Sequence, residues 1–314
     1  MKSKRIMLFD KEKLEKINPE TKKIMERYKI DMCMRNLSDQ TQKAYEHDLN
    51  QWFIYIYDKQ NNVSISELTD EHITEFLYFC TKEGNNAERI KRRISSISAI
   101  YKFRRKKRII VENPTEVIDR PKKGMRIITQ TYLTPEQVAL MREKLISCDD
   151  LQLRLYAMLS LSTMARVKAI STIRWNQIDL ENKIIKDVVE KEGKIVDLFF
   201  SEEVKYLLIQ LKLQRESAKR NDYGWVFYSG RNREKPITKS ALNDWCKRIG
   251  EMINVPTLHP HDFRHSGATL LKNAGMSLED VSVLLNHDSC ETTKRFYIKE
   301  DTARISSIKS SYNI

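Results

Sequence analysis

The stretch from Leu258 to Tyr297 holds the densest set of side chains able to do chemistry. Four of the six histidines of the chain fall in it: His259, His261, His265 and His287. His261, Arg264 and His265 stand three and four apart, so a helix brings them to one face. Pro260 suits a first helical position and Asp262 a first turn. Gly275 is expected to stop that helix, and Ser277 to cap the next, whose stripe is Leu278, Val281, Leu284 and Leu285. Asn286 tolerates left-handed backbone, so it is expected to end this second helix and present His287. A third short helix is expected over 292–297. Two basic clusters and a tyrosine on three short helices make an anion site with a nucleophile beside it.

Length and composition bound what surrounds this stretch. With 314 residues the chain has room for two domains with real cores, and 40% hydrophobic content excludes a largely disordered protein. A formal charge of +13 is the footprint expected of a nucleic-acid partner. The five cysteines (Cys33, Cys80, Cys148, Cys246, Cys290) are odd in number and lack CxxC spacing. That argues against a disulfide framework and a zinc ribbon, and for a reducing cytosol. His259, His261, His265 and Cys290 could suggest zinc, but no second cysteine lies near, so no metal is assigned. No cofactor is expected either. The first residues lack an apolar core, and no run of 18 apolar residues occurs. A soluble, cytoplasmic protein without a membrane partner is expected.

The elements that must position the chemistry follow in chain order. Residues 1–20 read as an arm or short leading helix. Ser38 opens a helix in which Thr41, Tyr45, Leu49, Trp52, Phe53 and Ile56 recur at helical spacing. A second helix begins near Thr69 with Ile73, Phe76, Leu77 and Phe79. A third runs from Ala87 to Lys106 with the seam Ile90, Ile94, Ile97, Ile100 and Phe103. Against that seam stand Arg89, Lys91, Arg92, Arg93, Lys102, Arg104, Arg105, Lys106, Lys107 and Arg108, ten cations in twenty residues. A solvated face normally mixes in acids, so these cations, with Lys122 and Lys123 beyond them, read as a phosphate-tracking surface. The aromatic residues of the first two helices read as core.

Asn113-Pro114 ends this helical domain, placed at 21–118, and 119–132 reads as a basic linker. Thr134, Pro135 and Gln137 form a helix start. From Leu151 a strongly apolar helix leads into Arg166. Ile178–Val189 and Lys194–Phe200 read as short strands about a turn at 190–193. Helices from Ser201 to about Arg220 and from Thr238 to about Ile253 flank a short strand at 225–228. The second domain is placed at 133–298, and a tail at 299–314.

Four pieces of this chain resemble the tyrosine recombinase (phage integrase) family. The segment 162–179, with Arg166 nine residues before Trp175, is similar to the family's first arginine box. The charged turn places Lys191 where the family keeps a hairpin lysine. His261 to His265 is similar to the His-x-x-Arg box. Leu284 to His287, followed by 292–297, is similar to the third box and its tyrosine. The resemblance spans about residues 20–300. It implies a mainly α fold with a small antiparallel β-sheet: an all-helical core-binding domain and a mixed α+β catalytic domain, clamped on duplex DNA. It implies a site-specific recombinase or integrase that cuts and rejoins DNA through a 3′-phosphotyrosyl intermediate.

The resemblance also assigns roles. Arg166 and Arg264 would neutralise the phosphate, Tyr297 attack it, and His261 assist the tyrosine's deprotonation. Lys191 would protonate the leaving 5′ oxygen, His287 hydrogen-bond the phosphate, and His265 support Arg264. Partners implied are double-stranded DNA and three further copies in a tetramer on DNA, with the tail docking on a neighbouring subunit. An accessory DNA-bending or directionality factor is left open.

Three features depart from the family pattern. Ala169 replaces an acidic residue three after the first arginine, and Thr163-Met164-Ala165 lacks the usual glycine before it. The family tyrosine sits nine residues after the third-box histidine, a place held here by Phe296, with Tyr297 tenth. A one-residue shift turns a helical side chain by about 100°. A sequence-specific DNA-binding regulator that keeps the fold but not strand cleavage is therefore the rival reading. A general DNA-packaging protein needs none of these motifs.

Overall fold

The structure is a computed structural model that describes residues 8–122, 132–190, 193–218, 223–229, 232–286, 293 and 309–310. Lys123, Lys191, His287 and Tyr297 lie outside the described residues. So do the helix expected over 292–297, apart from Thr293, and the tail at 299–314, apart from residues 309–310. The chain divides into two compact units, Met1–Ile128 and Thr129–Ile314. Helices dominate the described residues, and the two small sheets are antiparallel and lie in the second unit.

The first unit consists of α1 (Lys11–Lys16), α2 (Pro19–Met34), α3 (Asp39–Lys59), α4 (Asp70–Lys82) and α5 (Ala87–Lys106). Three of these start where the sequence signals them. Ser38 caps α3 by accepting from the Thr41 amide, Thr69 precedes α4, and Asn86 caps α5 by accepting from Arg89. The helix α2 is not announced by periodicity. Its signal is local, an Asn18 cap with Pro19 at the first position. The expected seam of α5 is buried, and Trp52, Phe53 and Phe76 lie in the core with it, as their reading as core residues expects. Tyr28 meets Phe103 at 5.4 Å between ring centroids, and Tyr55 meets Phe76 at 5.2 Å. Each such fully buried side chain contributes roughly 1.5–3 kcal/mol.

In the second unit, α6 (Pro135–Ile146) begins with the Thr134–Gln137 capping box. The helix α7 (Leu151–Thr163) is apolar almost all round because it packs against both α9 (Glu202–Ser217) and α11 (Pro260–Asn273). A short α8 (Val167–Ser171) follows. The expected strand at 178–189 is instead two. A turn carrying Lys183 at φ 57° separates β1 (Ile178–Asp179) from β2 (Ile184–Val189), and Asp179 accepts from the Asn182 amide across it. β2 pairs antiparallel with β3 (Ile195–Phe199), Ile184 opposite Phe199 and Val189 opposite Ile195. A bulge between Ile185 and Val188 lets both bury although they stand three apart.

Of the strand expected at 225–228, Tyr228 joins β4 (Tyr228–Ser229), which pairs with β5 (Asn232–Pro236), and Trp225 makes a single bridge to Arg174. The last elements are α10 (Lys239–Met252), α11 and α12 (Leu278–Leu284). Gly275 stops α11 at φ 102°, and Asn286 turns the chain after α12 at φ 52°.

Candidate active site

Arg166 stands at the junction of α7 and α8. The chain leaves α7 through Met164, left-handed at φ 53° and ψ 20°. Glycine adopts that conformation at no cost, whereas another residue pays roughly 1–2 kcal/mol. The absence of glycine here is accommodated from across the helix interface. A Cβ on Gly267 of α11 would come within 2.6 Å of Met164 Cγ and 2.4 Å of the Leu161 carbonyl oxygen. Gly267 thus leaves the space that the methionine fills. Arg166 then caps α8 with extended backbone and is ion-paired to Glu190 at the end of β2.

Arg264 is 1% exposed on α11. Its Nη1 donates to the Met164 carbonyl at 2.6 Å and its Nη2 to the Leu285 carbonyl at 2.5 Å. One guanidinium therefore ties the chain just before Arg166 to the chain just before Asn286 and His287. Lys194, at the start of β3, reaches the Asn286 carbonyl at 3.5 Å. Ser266 on the same helix accepts from the Leu133 amide at 2.8 Å, which anchors the start of the unit to α11.

His261, in the first turn of α11, keeps one side to solvent and packs edge-on against His265 with ring centroids 5.2 Å apart. Crowding by protein, then the charges of Arg264, His259 and Arg166, hold its pKa below the ordinary imidazole value. The neutral ring is the form that accepts a proton. His259 has a structural duty. Its Nδ1 accepts from the His261 amide at 3.2 Å while Asp262 accepts from the His259 amide at 2.8 Å, closing a capping box. Among the described residues no group of His, Cys, Asp and Glu could hold a metal ion.

The described candidates Arg166, His261 and Arg264 thus meet at one place, where the hairpin β2–β3 and the end of α12 also arrive. Sequence reasoning missed Glu190 and Met164. Glu190 was hidden in a charged turn that reads as plain surface, and it is 2% exposed.

In the first unit the basic face proves smaller than the count of cations. Arg93 is 1% exposed, donating to Asn85 and Gln51 at 2.8 and 2.9 Å, and Arg104 is 3% exposed, donating to Ser66 at 2.8 Å. Both are corrections: their donors serve the interior, and neither reaches a surface. Arg89 and Arg92 hold the buried Asp48, each at 2.9 Å. Lys91, Ser95, Ala99, Lys102 and Lys106 form one stripe of α5 at helical spacing. The last four line a cleft of about 480 Å³ with Arg35, Tyr45 and Arg120. Arg105, paired to Glu116 at 2.7 Å, and Lys122 are exposed.

Residues 131–304 match the phage integrase family, and residues 25–108 match the phage integrase N-terminal SAM-like domain. A tyrosine recombinase XerC of Roseiflexus castenholzii is 28% identical over 269 residues, 83% of either chain. Among solved structures, the XerH site-specific recombinase bound to palindromic difH substrate, in a post-cleavage complex, aligns with a TM-score of 0.73 and 18% identity. That alignment covers 94% of this chain and 84% of the other. A lambda integrase tetramer bound to a Holliday junction aligns with a TM-score of 0.64 and 18% identity over 85% and 74%. The family match defines the class, the tyrosine recombinases, which are DNA strand transferases. The chain belongs to the phage integrase family, and its function is site-specific DNA recombination.

Proposed function

We propose that this chain cuts and rejoins DNA with Tyr297 as its nucleophile and Arg166, Lys191, His261, Arg264 and His287 as its helpers. The observation that carries the reading is the bonding of Arg264 to the carbonyls of Met164 and Leu285, which gathers two motif segments around a third. The Tyr297 phenolic oxygen attacks the scissile phosphorus as the bond to the 5′ oxygen breaks. The phenolic proton passes to neutral His261, and Lys191 supplies the proton taken by the 5′ oxygen. Arg166 and Arg264 offset the charge that grows on the non-bridging oxygens, and His287 hydrogen-bonds one of them. The phosphotyrosyl bond keeps the bond energy, so a 5′-hydroxyl can reverse the step without ATP.

Duplex DNA is the partner. Lys91, Arg92, Lys102, Arg105, Lys106 and Lys122 remain as the phosphate contacts of the first unit, with Lys123 beside them and Arg89 reduced to a supporting place. The chain acts as a tetramer across two sites, with the tail docking on a neighbouring copy. An accessory bending or directionality factor is a further proposed partner.

The rival, a site-specific binder without cleavage, is favoured by the ten-residue spacing from His287 to Tyr297. A nicked duplex carrying the selected site separates the two. Wild type forms a denaturation-resistant adduct and Tyr297→Phe forms none if the proposal holds. Selective binding without any adduct supports the regulator.

A further inference from the structure

We infer that Glu190 is the positioning residue for Arg166, a buried carboxylate that fixes the guanidinium so that its open side meets the scissile phosphate. The inference rests on the reading of Arg166 as a phosphate-binding cation. The Glu190 side chain is 0% exposed, and the Arg166 side chain 31%. A carboxylate removed from water needs a cation beside it, and among the described residues Arg166 is its ion-pair partner. The pair is also directional. Glu190 Oε2 accepts from Nη1, one end of a rigid fork with five N–H donors, so the carboxylate restrains that end of the fork.

Both backbones are held as well. The Arg166 carbonyl accepts from the Ile170 amide at 3.1 Å, and the Glu190 amide donates to the Lys194 carbonyl at 2.8 Å. The next turn of α8 offers no substitute, because Ala169 is fully buried and has no side-chain acceptor. The carboxylate comes instead from the hairpin, one residue before Lys191. Arg166 and the hairpin are thereby held by one bond, and a displacement of either is felt by the other. A shift of about 1 Å in a charge-stabilising group costs on the order of 100-fold in rate.

The test uses the full chain and two versions of its selected duplex, one with the natural scissile phosphate and one with a neutral methylphosphonate there. Wild type prefers the phosphate. Glu190→Gln, nearly isosteric, is expected to cut that preference about tenfold while binding the methylphosphonate duplex as wild type does. Adduct formation on the nicked site falls about 100-fold. Combined with Arg166→Lys it adds little further loss, because both act on one interaction. Equal weakening on both duplexes would mean a merely structural carboxylate and overturn the inference. A stronger phosphate preference would make Glu190 a competitor of the phosphate and overturn it too. If Glu190→Gln does not fold, Glu190→Asp, which keeps the charge on a shorter stem, is read by the same ratio. If wild type forms no adduct but prefers the phosphate, strand cleavage fails and the ratio still decides. Without a wild-type preference the inference itself fails.

Discussion

Arg93 and Arg264 are buried to the same extent, each 1% exposed, and both lie among other basic residues. Their partners differ. Arg93 in α5 bonds Asn85 and Gln51 and lies over the Phe76 ring at 5.4 Å, all within the first unit. Arg264 bonds two backbone carbonyls, and each belongs to a segment that leads into another candidate site residue. A guanidinium spent on side chains of its own core stabilises a fold. One spent on the main chain of two motif loops sets the distance between functional groups. The difference shows that a count of cations reports total charge, whereas partners report use.

Arg264→Lys breaks the comparison most sharply. It keeps the charge but loses the fork that spans two carbonyls, so adduct formation should fall roughly 100- to 1000-fold. Affinity for the duplex should change little, as a binding isotherm beside a single-turnover assay would show. Arg93→Met should do the reverse. It leaves two buried acceptors without their donor and costs on the order of 2–3 kcal/mol in denaturant unfolding. The salt dependence of DNA binding should not change, since Arg93 touches no phosphate.

His261 adds a pH test. Its folded pKa is below the usual 6.5, so as pH falls beneath that value the unfolded chain takes up its proton first. Stability contributed by the neutral ring is present above pH 6.5 and is lost as pH falls through the folded value. The unfolding midpoint of wild type should drop relative to His261→Gln across that window. Adduct formation should show an acid limb below it that the variant lacks. Lys102→Ala should give the smallest effect. Binding should weaken evenly across sequences, with the slope of log affinity against log salt reduced by about one.

The helical framework was legible because caps are local signals. Ser38, Thr134 and Ser277 each start a helix where the sequence places one, and Gly275 and Asn286 end the two in the motif region. The apolar seam of α5, a helix rich in cations, was legible too. Which cations of that helix are buried was not, because Arg93 and Arg104 bond Asn85, Gln51 and Ser66, which come from outside α5. The strand pair β1–β2 looks like one strand in the sequence because the turn at Lys183 carries no glycine or proline. At the site, His261 and Arg264 were visible as a helical spacing. The Arg166–Glu190 pair joins residues 24 apart through a bulged hairpin, and no local pattern encodes it. Met164 in a left-handed turn became intelligible only with Gly267 opposite it.

Tyr297, tenth after His287, is the residue proposed to carry the DNA. The direct measurement is mass mapping of the peptide left on the strand after an adduct on the nicked site is trapped and digested. A nucleotide mass on the peptide that contains Tyr297, lost in Tyr297→Phe, is the predicted result. An adduct on another residue, or one formed only after Phe296→Tyr, would contradict it.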